Sequence, residues 1–520
     1  MKMHKFVLGA VLAVALLLPA AAPAGPGGRQ DRARPAELAE YQKAIKIPDL
    51  AARVRELERI RAAYPSTQYR PLIESAILYA RIQMAGSVEE VVKLHDPVIR
   101  GADGMNRVFV FYQFSWDILR HPNAARFDKA KATRAVLDYV DRGLKLALDP
   151  EFAKSLPADQ RPFLEVNRPV FYLAEAAAYA NDGATAKAAA ALEKFRTSGH
   201  ALDQVYHYVK ADLDLAQGRK AEALESYLFA AAEKYGDALD KARALYQAVN
   251  GSPAGFEARL EARQKALPFV PEPYEPDKTW QGKVVLAELF TGSECPPCVG
   301  ADLGFDGLIE SFGDRVLAVL EYHLPIPRPD PMMNTASRQR AQEYGVTSTP
   351  SMFFDGEAKS GGGGNRGMAE AKFREFAAEV KARLAAAPGV KLEVKAGRMG
   401  DLVRVDFKVD KAPSGADVHL ALVQDEEKYR GSNGLLFHKM VVREFVTLDA
   451  AAVKARTRTI DVAAAEAAAA ALLADFEREN EYRFAEKKNR IDRSALRVVL
   501  FVQDRATKKV LNAAAAVVPK

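Results

Sequence analysis

Glu288-Leu-Phe-Thr-Gly-Ser-Glu-Cys-Pro-Pro-Cys298 holds the only two cysteines of the 520-residue chain, Cys295 and Cys298. The apolar run Val284-Val285-Leu286-Ala287 precedes it and reads as a strand. Ala301 to Phe312 follows it and reads as a helix, with Leu303, Phe305 and Leu308 as apolar positions. A cysteine pair at this spacing, between strand and helix, points to thiol–disulfide exchange. The attacking species is a thiolate, so the nucleophile needs an environment that favours ionisation. Cys295, expected just before the first helical turn, would have unsatisfied N–H groups and the positive end of the helix dipole beside it. Pro296 and Pro297 suit the first helical positions but remove two amide donors. Cys298, one turn in, would be the resolving thiol that releases a client from the mixed disulfide.

The strand–CxxC–helix unit resembles the active site of the thioredoxin superfamily. Gly345-Val-Thr-Ser-Thr-Pro-Ser-Met-Phe-Phe-Asp-Gly356 is similar to that family's proline loop and the central strand after it. Glu288-Leu-Phe-Thr-Gly, Tyr322-His323, Asp330-Pro331 and Tyr344-Gly345 resemble, more closely, secreted bacterial thioredoxin-like proteins of the Omp28-related kind. The resemblance implies a thioredoxin-like α/β domain over about 280–388. It also implies a cis Thr349–Pro350 bond facing the cysteines, with the backbone of Thr349 available to an extended client. Two candidates for proton transfer follow, Glu288 and His323. Leu289 occupies the place of the family's buried aspartate, and Glu288 points to the other face of a regular strand. A salt-bridged strand residue is therefore an equal reading of Glu288. His323 ends the next strand and is either a proton donor near the pair or a polar strand terminus.

Two other readings of the cysteines stay open. One is an inert structural disulfide. The other is a metal site of Cys295, Cys298 and His323, as in copper-carrying thioredoxin relatives, although those space their cysteines differently. Zinc normally takes four ligands and the chain has no further cysteine. No metal and no cofactor are expected.

The chain is long enough for about three domains. Its 49% apolar and 27% charged residues are those of an ordinary globular protein, and its net charge of +6 is small against 74 basic and 68 acidic residues. The two signs are interspersed, which argues against nucleic acid as a partner. Lys2 and Lys5, the apolar run Phe6 to Leu18 and Ala22-Pro-Ala24 read as a cleaved export signal, residues 1–24. The run is too short to span about 30 Å of hydrocarbon, and no later stretch suggests a membrane span. A periplasmic or secreted location is expected, where a redox pair meets protein thiols and disulfides.

Residues 25–35 read as a linker. Residues 36–267 show amphipathic helical segments separated by short breakers, without a convincing strand. Gly183-Ala-Thr-Ala-Lys-Ala matches Gly218-Arg-Lys-Ala-Glu-Ala at an offset of about 35, near the tetratricopeptide (TPR) period of about 34. Ala186 pairs with Ala221 and Ala188 with Ala223, small residues that would let two helices approach closely. An all-α, TPR-like helical-hairpin array is expected, either offering a groove to a protein partner or acting as a ligand-free scaffold. The aromatic run Val108 to Trp116 and Tyr206-His207-Tyr208 are read as core. A proline-rich linker occupies 268–279. Ser360-Gly-Gly-Gly-Gly-Asn365 lacks the Lys-Ser/Thr of a phosphate loop and reads as a flexible loop. From Val390 the period changes to two, with Val403, Val405, Phe407 and Val409 alternating with charged residues. This predicts an immunoglobulin-like, all-β sandwich over 389–520 with a helical insertion near 450–488. The multidomain expectation is thus helical array, thioredoxin-like α/β fold, then sandwich. Its function would be an exported thiol–disulfide oxidoreductase, or else a cell-envelope interaction or assembly scaffold with a structural or metal-carrying CxxC.

Overall fold

A computed structural model describes residues 36–200, 202–410 and 412–520. The expected export signal and the linker 25–35 lie outside the described residues. The chain folds as two units, one ending at Pro253 and the other spanning Ala254–Lys520.

In the first unit successive helices pack in pairs, as with Leu50–Ala63 and Arg70–Met84, or Asn106–Leu119 and Lys129–Leu148. Their apolar faces make separate clusters in series, centred on Leu57 and Ile73, on Phe111 and Phe171, and on Phe195 and Val209. The repeated segments occupy equivalent places. Gly183 and Gly218 take φ of 77° and 78° between paired helices, a left-handed turn that suits glycine. Ala188 and Ala223 are buried at the following helices, whereas Ala186 and Ala221 are exposed and do not mediate the approach. The aromatic helix Asn106–Leu119 buries Val108, Phe111 and Phe114, as its composition suggests.

The second unit departs from the expected succession of separate domains. Its first helix, Phe256–Lys265, falls in the region read as the end of the array. Strand β1 (Val285–Thr291) pairs in parallel with β2 (Leu317–His323) and antiparallel with β3 (Ser351–Phe354), which pairs with β4 (Glu357–Lys359). The helices Val299–Phe312, Thr335–Tyr344 and Ala369–Leu384 connect or follow these strands.

Beyond them come β5 (Lys391–Met399), β6 (Leu402–Asp410), β7 (Ala416–Lys428), β8 (Phe437–Leu448), β9 (Thr457–Asp461), β10 (Leu496–Asp504) and β11 (Val510–Val517). Four of these do not form a separate sandwich. They extend the first sheet, in the order β11-β10-β7-β8-β2-β1-β3-β4, with β8 joining β2 at the bridge Glu321–Val441. Only β5-β6-β9 make a second sheet.

The physical reason lies in β7 and β10, which are buried on both faces. Ala421, Val423, Val499 and Phe501 join the core beneath β1 and β2. Leu420, Leu422, Val498 and Leu500 pack against Val403, Val405 and Phe407 of the small sheet. Period two is legible in β6, and it hides the second buried face of its neighbours. The helical insertion is present as Ala450–Ala455 and Val462–Glu479, with β9 between them.

Candidate functional site

The backbone enters the cysteines from β1. Cys295 is extended (φ −113°, ψ 93°), Pro296–Cys298 form a single 3₁₀ turn, and the α-helix starts at Val299. Cys298 therefore sits at the junction of the two helical types rather than one turn into an α-helix. Its N–H donates to the carbonyl of Cys295 at 3.0 Å. The sulfurs are joined, with S–S 2.02 Å and Cα–Cα 5.4 Å. Both cysteines are 0% exposed, and it is Pro296 and Pro297 that face solvent.

Three loops enclose the pair. The Thr349–Pro350 bond is cis. The Thr349 carbonyl oxygen lies 3.8 Å from Cys295 Sγ, and Oγ1 lies 3.4 Å from it while donating to the Ile326 carbonyl at 2.9 Å. The glycine run is no loose tether. Gly364 N–H donates to the Pro297 carbonyl and Gly300 N–H to the Gly364 carbonyl, both at 2.7 Å. A Cβ on Gly300 would lie 3.0 Å from the Gly364 backbone, so this approach needs glycine.

The turn between β7 and β8 closes the third side. Asn433 N–H donates to the Ser293 carbonyl at 3.1 Å, and a Cβ on Gly431 would lie 2.1 Å from that same oxygen. The reading of Ser360–Asn365 as a flexible loop is corrected by the bonds of Gly364. Gly431-Ser-Asn-Gly434, whose sequence alone carries no role, seats the residues just before Cys295.

Beneath the cysteines the interior is polar. Cys298, Asp302 and Asp306 share one helix face at fourfold spacing. Asp302 Oδ1 accepts from Thr291 Oγ1 at 2.6 Å. Glu321 stands on β2 beside Leu289, its register partner. Thus a carboxylate stands on the strand next to β1, level with Leu289. Asp302, Asp306 and Glu321 are all buried, and Asp302 Oδ2 and Glu321 Oε1 have no hydrogen-bond partner among the described residues. Burial holds Asp302 and Glu321 well above the usual carboxylate range, at Asp302 against the Thr291 hydroxyl and with repulsion from Asp306 and Asp330, at Glu321 with repulsion from Asp302 and Asp306. Burial pushes Asp306 up to about 6 against the opposing pull of Lys439, 3.7 Å away. Sequence reasoning missed all three. The spacing of Cys298, Asp302 and Asp306 was the signal available.

His323 Nδ1 lies 3.0 Å from Asp330 Oδ2, and both residues are fully buried. Asp330 also accepts the N–H of Ser293 at 2.6 Å and of Met332 at 2.7 Å. Burial alone would raise its pKa, but His323 and these N–H groups together hold it below the usual value. His323 Nε2 has no partner among the described residues, and its ring stands edge-to-face with His438 at 5.2 Å.

Glu288 is on the opposite face of β1 and is fully buried. Arg340 grips it through Nε–Oε1 at 2.8 Å and Nη2–Oε2 at 3.0 Å, while Tyr322 and Tyr344 donate to it at 3.0 and 2.7 Å. This is the salt-bridged strand residue of the two readings. Arg340 Nη1 also donates to Gln503 of β10 at 2.8 Å, tying the C-terminal strands to β1.

Among the described residues no cluster of three or more His, Cys, Asp or Glu side chains is arranged to hold a metal, and no helix is long and apolar enough to cross a membrane. No family model, curated protein or solved structure matches this chain.

Proposed function

We propose that the chain is an exported thiol–disulfide oxidoreductase of thioredoxin-like type, with Cys295 as nucleophile, Cys298 as resolving thiol and Thr349–Pro350 as the client-docking edge. One observation carries the reading. A disulfide at a helix start shares its helix face with buried Asp302, opposite Glu321, and each carboxyl has an oxygen without a partner among the described residues. Such groups are costly to bury for structure alone and are suited to moving a proton.

A client thiolate attacks Sγ of Cys295, forming a mixed disulfide and breaking the Cys295–Cys298 bond. Cys298 leaves as a thiolate and takes the proton of the carboxyl pair. A second client thiolate then attacks the client sulfur of the mixed disulfide, so the client departs oxidised and Cys295 departs as a thiolate. The same steps run backwards reduce a client disulfide. With no third cysteine in the chain, electrons pass to or from a separate partner protein. The helical unit would recruit such partners, and export rests on Lys2, Lys5 and the apolar run after them.

A second reading, a cell-envelope scaffold with a structural disulfide, is favoured by the complete burial of both sulfurs. The reduction potential separates the two. A value between about −270 and −120 mV fits an exchanger, and one below about −300 mV fits a structural bond. Cys298→Ala should trap client proteins as mixed disulfides with Cys295, and Cys295→Ala should trap none. Failure to trap, together with the low potential, would overturn the enzymatic reading.

A further inference from the structure

The backbone donors that could hold a sulfur in its ionised form are all taken at this site. Cys295 stands just before the 3₁₀ turn Pro296–Cys298, the capping place, from which a side chain ordinarily accepts the second or third N–H of the turn. The second residue is Pro297, which has no N–H. The third N–H, that of Cys298, goes to the Cys295 carbonyl at 3.0 Å. Its neighbours are engaged too: Cys295 N–H by the Gly292 carbonyl at 3.1 Å, Val299 N–H by the Pro296 carbonyl, and Gly300 N–H by the Gly364 carbonyl at 2.7 Å. From Cys295 to Gly300, no backbone N–H donates to the sulfur among the described residues.

What faces Cys295 Sγ instead is an acceptor. The Thr349 carbonyl oxygen lies 3.8 Å away, which suits a thiol S–H and opposes a thiolate. The Thr349 hydroxyl is 3.4 Å from the sulfur, but its one hydrogen goes to the nearer and stronger acceptor, the Ile326 carbonyl at 2.9 Å. Below the pair stand the buried carboxyls of Asp302 and Glu321. No Lys, Arg or His side chain donates to either sulfur among the described residues, and His323 directs Nδ1 to Asp330.

A dithiol–disulfide pair is a strong oxidant when its reduced form is stabilised, chiefly through an ionised nucleophile. Here that stabilisation is withheld, which favours the disulfide over the dithiol. We infer that the pair works as an electron donor, and that its substrate is a disulfide of a client protein rather than a client dithiol. The inference rests on the exchanger reading above and fixes its direction. The Cys295 thiolate attacks one sulfur of the client disulfide. The Cys295–client bond forms, the client S–S bond breaks, and the other client sulfur leaves as a thiolate. Cys298 then gives its proton to the carboxyl pair and attacks Cys295 Sγ. The Cys295–Cys298 bond forms, the mixed disulfide breaks, and the client departs reduced by two electrons. A separate dithiol protein reduces the pair again and is itself left as a disulfide.

The full chain tests the direction. The reduced protein should cleave the disulfides of insulin at least about tenfold faster than the oxidised protein oxidises reduced, unfolded ribonuclease at equal concentration. In Cys298→Ala, where Cys295 is the only thiol, the pH profile of alkylation by iodoacetamide should lie at or above that of a cysteine in a short peptide. Pro297→Ala in that background returns the second N–H. One hydrogen bond to a charged acceptor gives about tenfold more thiolate, and lower nucleophilicity offsets part of it, so alkylation at neutral pH should be about threefold faster. Pro296→Ala returns a donor at the first position, which does not cap, and should change the rate by less than about twofold. Faster oxidation of ribonuclease than reduction of insulin, an alkylation profile well below that of the peptide cysteine, or equal rates for the two proline variants would overturn the inference while leaving an exchanger in place. No exchange in either direction, with no client trapped, would overturn the exchanger reading and the inference with it.

Discussion

Arg340→Met tests the anchor that joins the two halves of the large sheet. The substitution leaves Glu288, fully buried on β1, as a carboxylate without its cation, and removes the bonds from Arg340 to Gln503 and Glu343. Breaking a buried ion pair from one side costs about 3–5 kcal/mol, because an uncompensated charge remains. Glu288→Leu combined with Arg340→Met removes both charges and should recover most of that loss. A remainder of about 1 kcal/mol should persist for each of Tyr322 and Tyr344, whose hydroxyls lose their acceptor. Urea unfolding, followed through Trp280 in a Trp116→Phe background, reads the second unit. A single variant within about 1 kcal/mol of the parent, or a double variant as unstable as the sum of the singles, would refute the reasoning.

Asp302→Asn should slow release of a client from the mixed disulfide by about tenfold or more at neutral pH, whereas Glu288→Gln should leave the pH dependence of thiol alkylation unchanged. Stopped-flow exchange with a model disulfide checks the first, and alkylation rates across pH check the second. Gly431→Ala drives a Cβ to 2.1 Å from the Ser293 carbonyl. It should destabilise the second unit by about 1–3 kcal/mol and speed reduction of the disulfide, measured as the rate of thiol appearance with a fixed reductant. Asp306 binds its proton more tightly folded than unfolded, so its contribution favours the fold at low pH and is lost as pH rises from about 3.8 to about 6. Asp306→Asn should remove that part of the slope in stability measured against pH.

The sequence carried local information well and long-range pairing poorly. The CxxC spacing, the aromatic helix and the alternation in β6 each depend on neighbours in the chain. They appear as a strand–turn–helix, a buried helix and a half-buried strand. The union of β8 with β2 depends on residues far apart, Glu321 and Val441, and leaves no periodic trace. The same holds for the site. Cys295, Cys298, Thr349 and Pro350 were legible as motif residues, and His323 was placed with Asp330 by the fold alone. Asp302 and Glu321 look like ordinary polar positions until burial removes their water. Glycine runs read as flexible because glycine permits disorder, yet Gly300 and Gly431 instead permit backbone to touch backbone, Gly300 at Gly364 and Gly431 at Ser293.

The seat beneath Ser293 is built by Gly431 and Asn433, residues that leave the ribosome well after both cysteines. Since chains fold from the N-terminal end as they are made, a half-finished protein already carries its sulfur pair but lacks the wall that later covers it. Order of synthesis therefore gives one pair of atoms two successive degrees of shelter. A chain stopped short of Gly431 would stay in the first, its sulfurs covered by the Thr349–Pro350 and Gly364 loops but not on the third side.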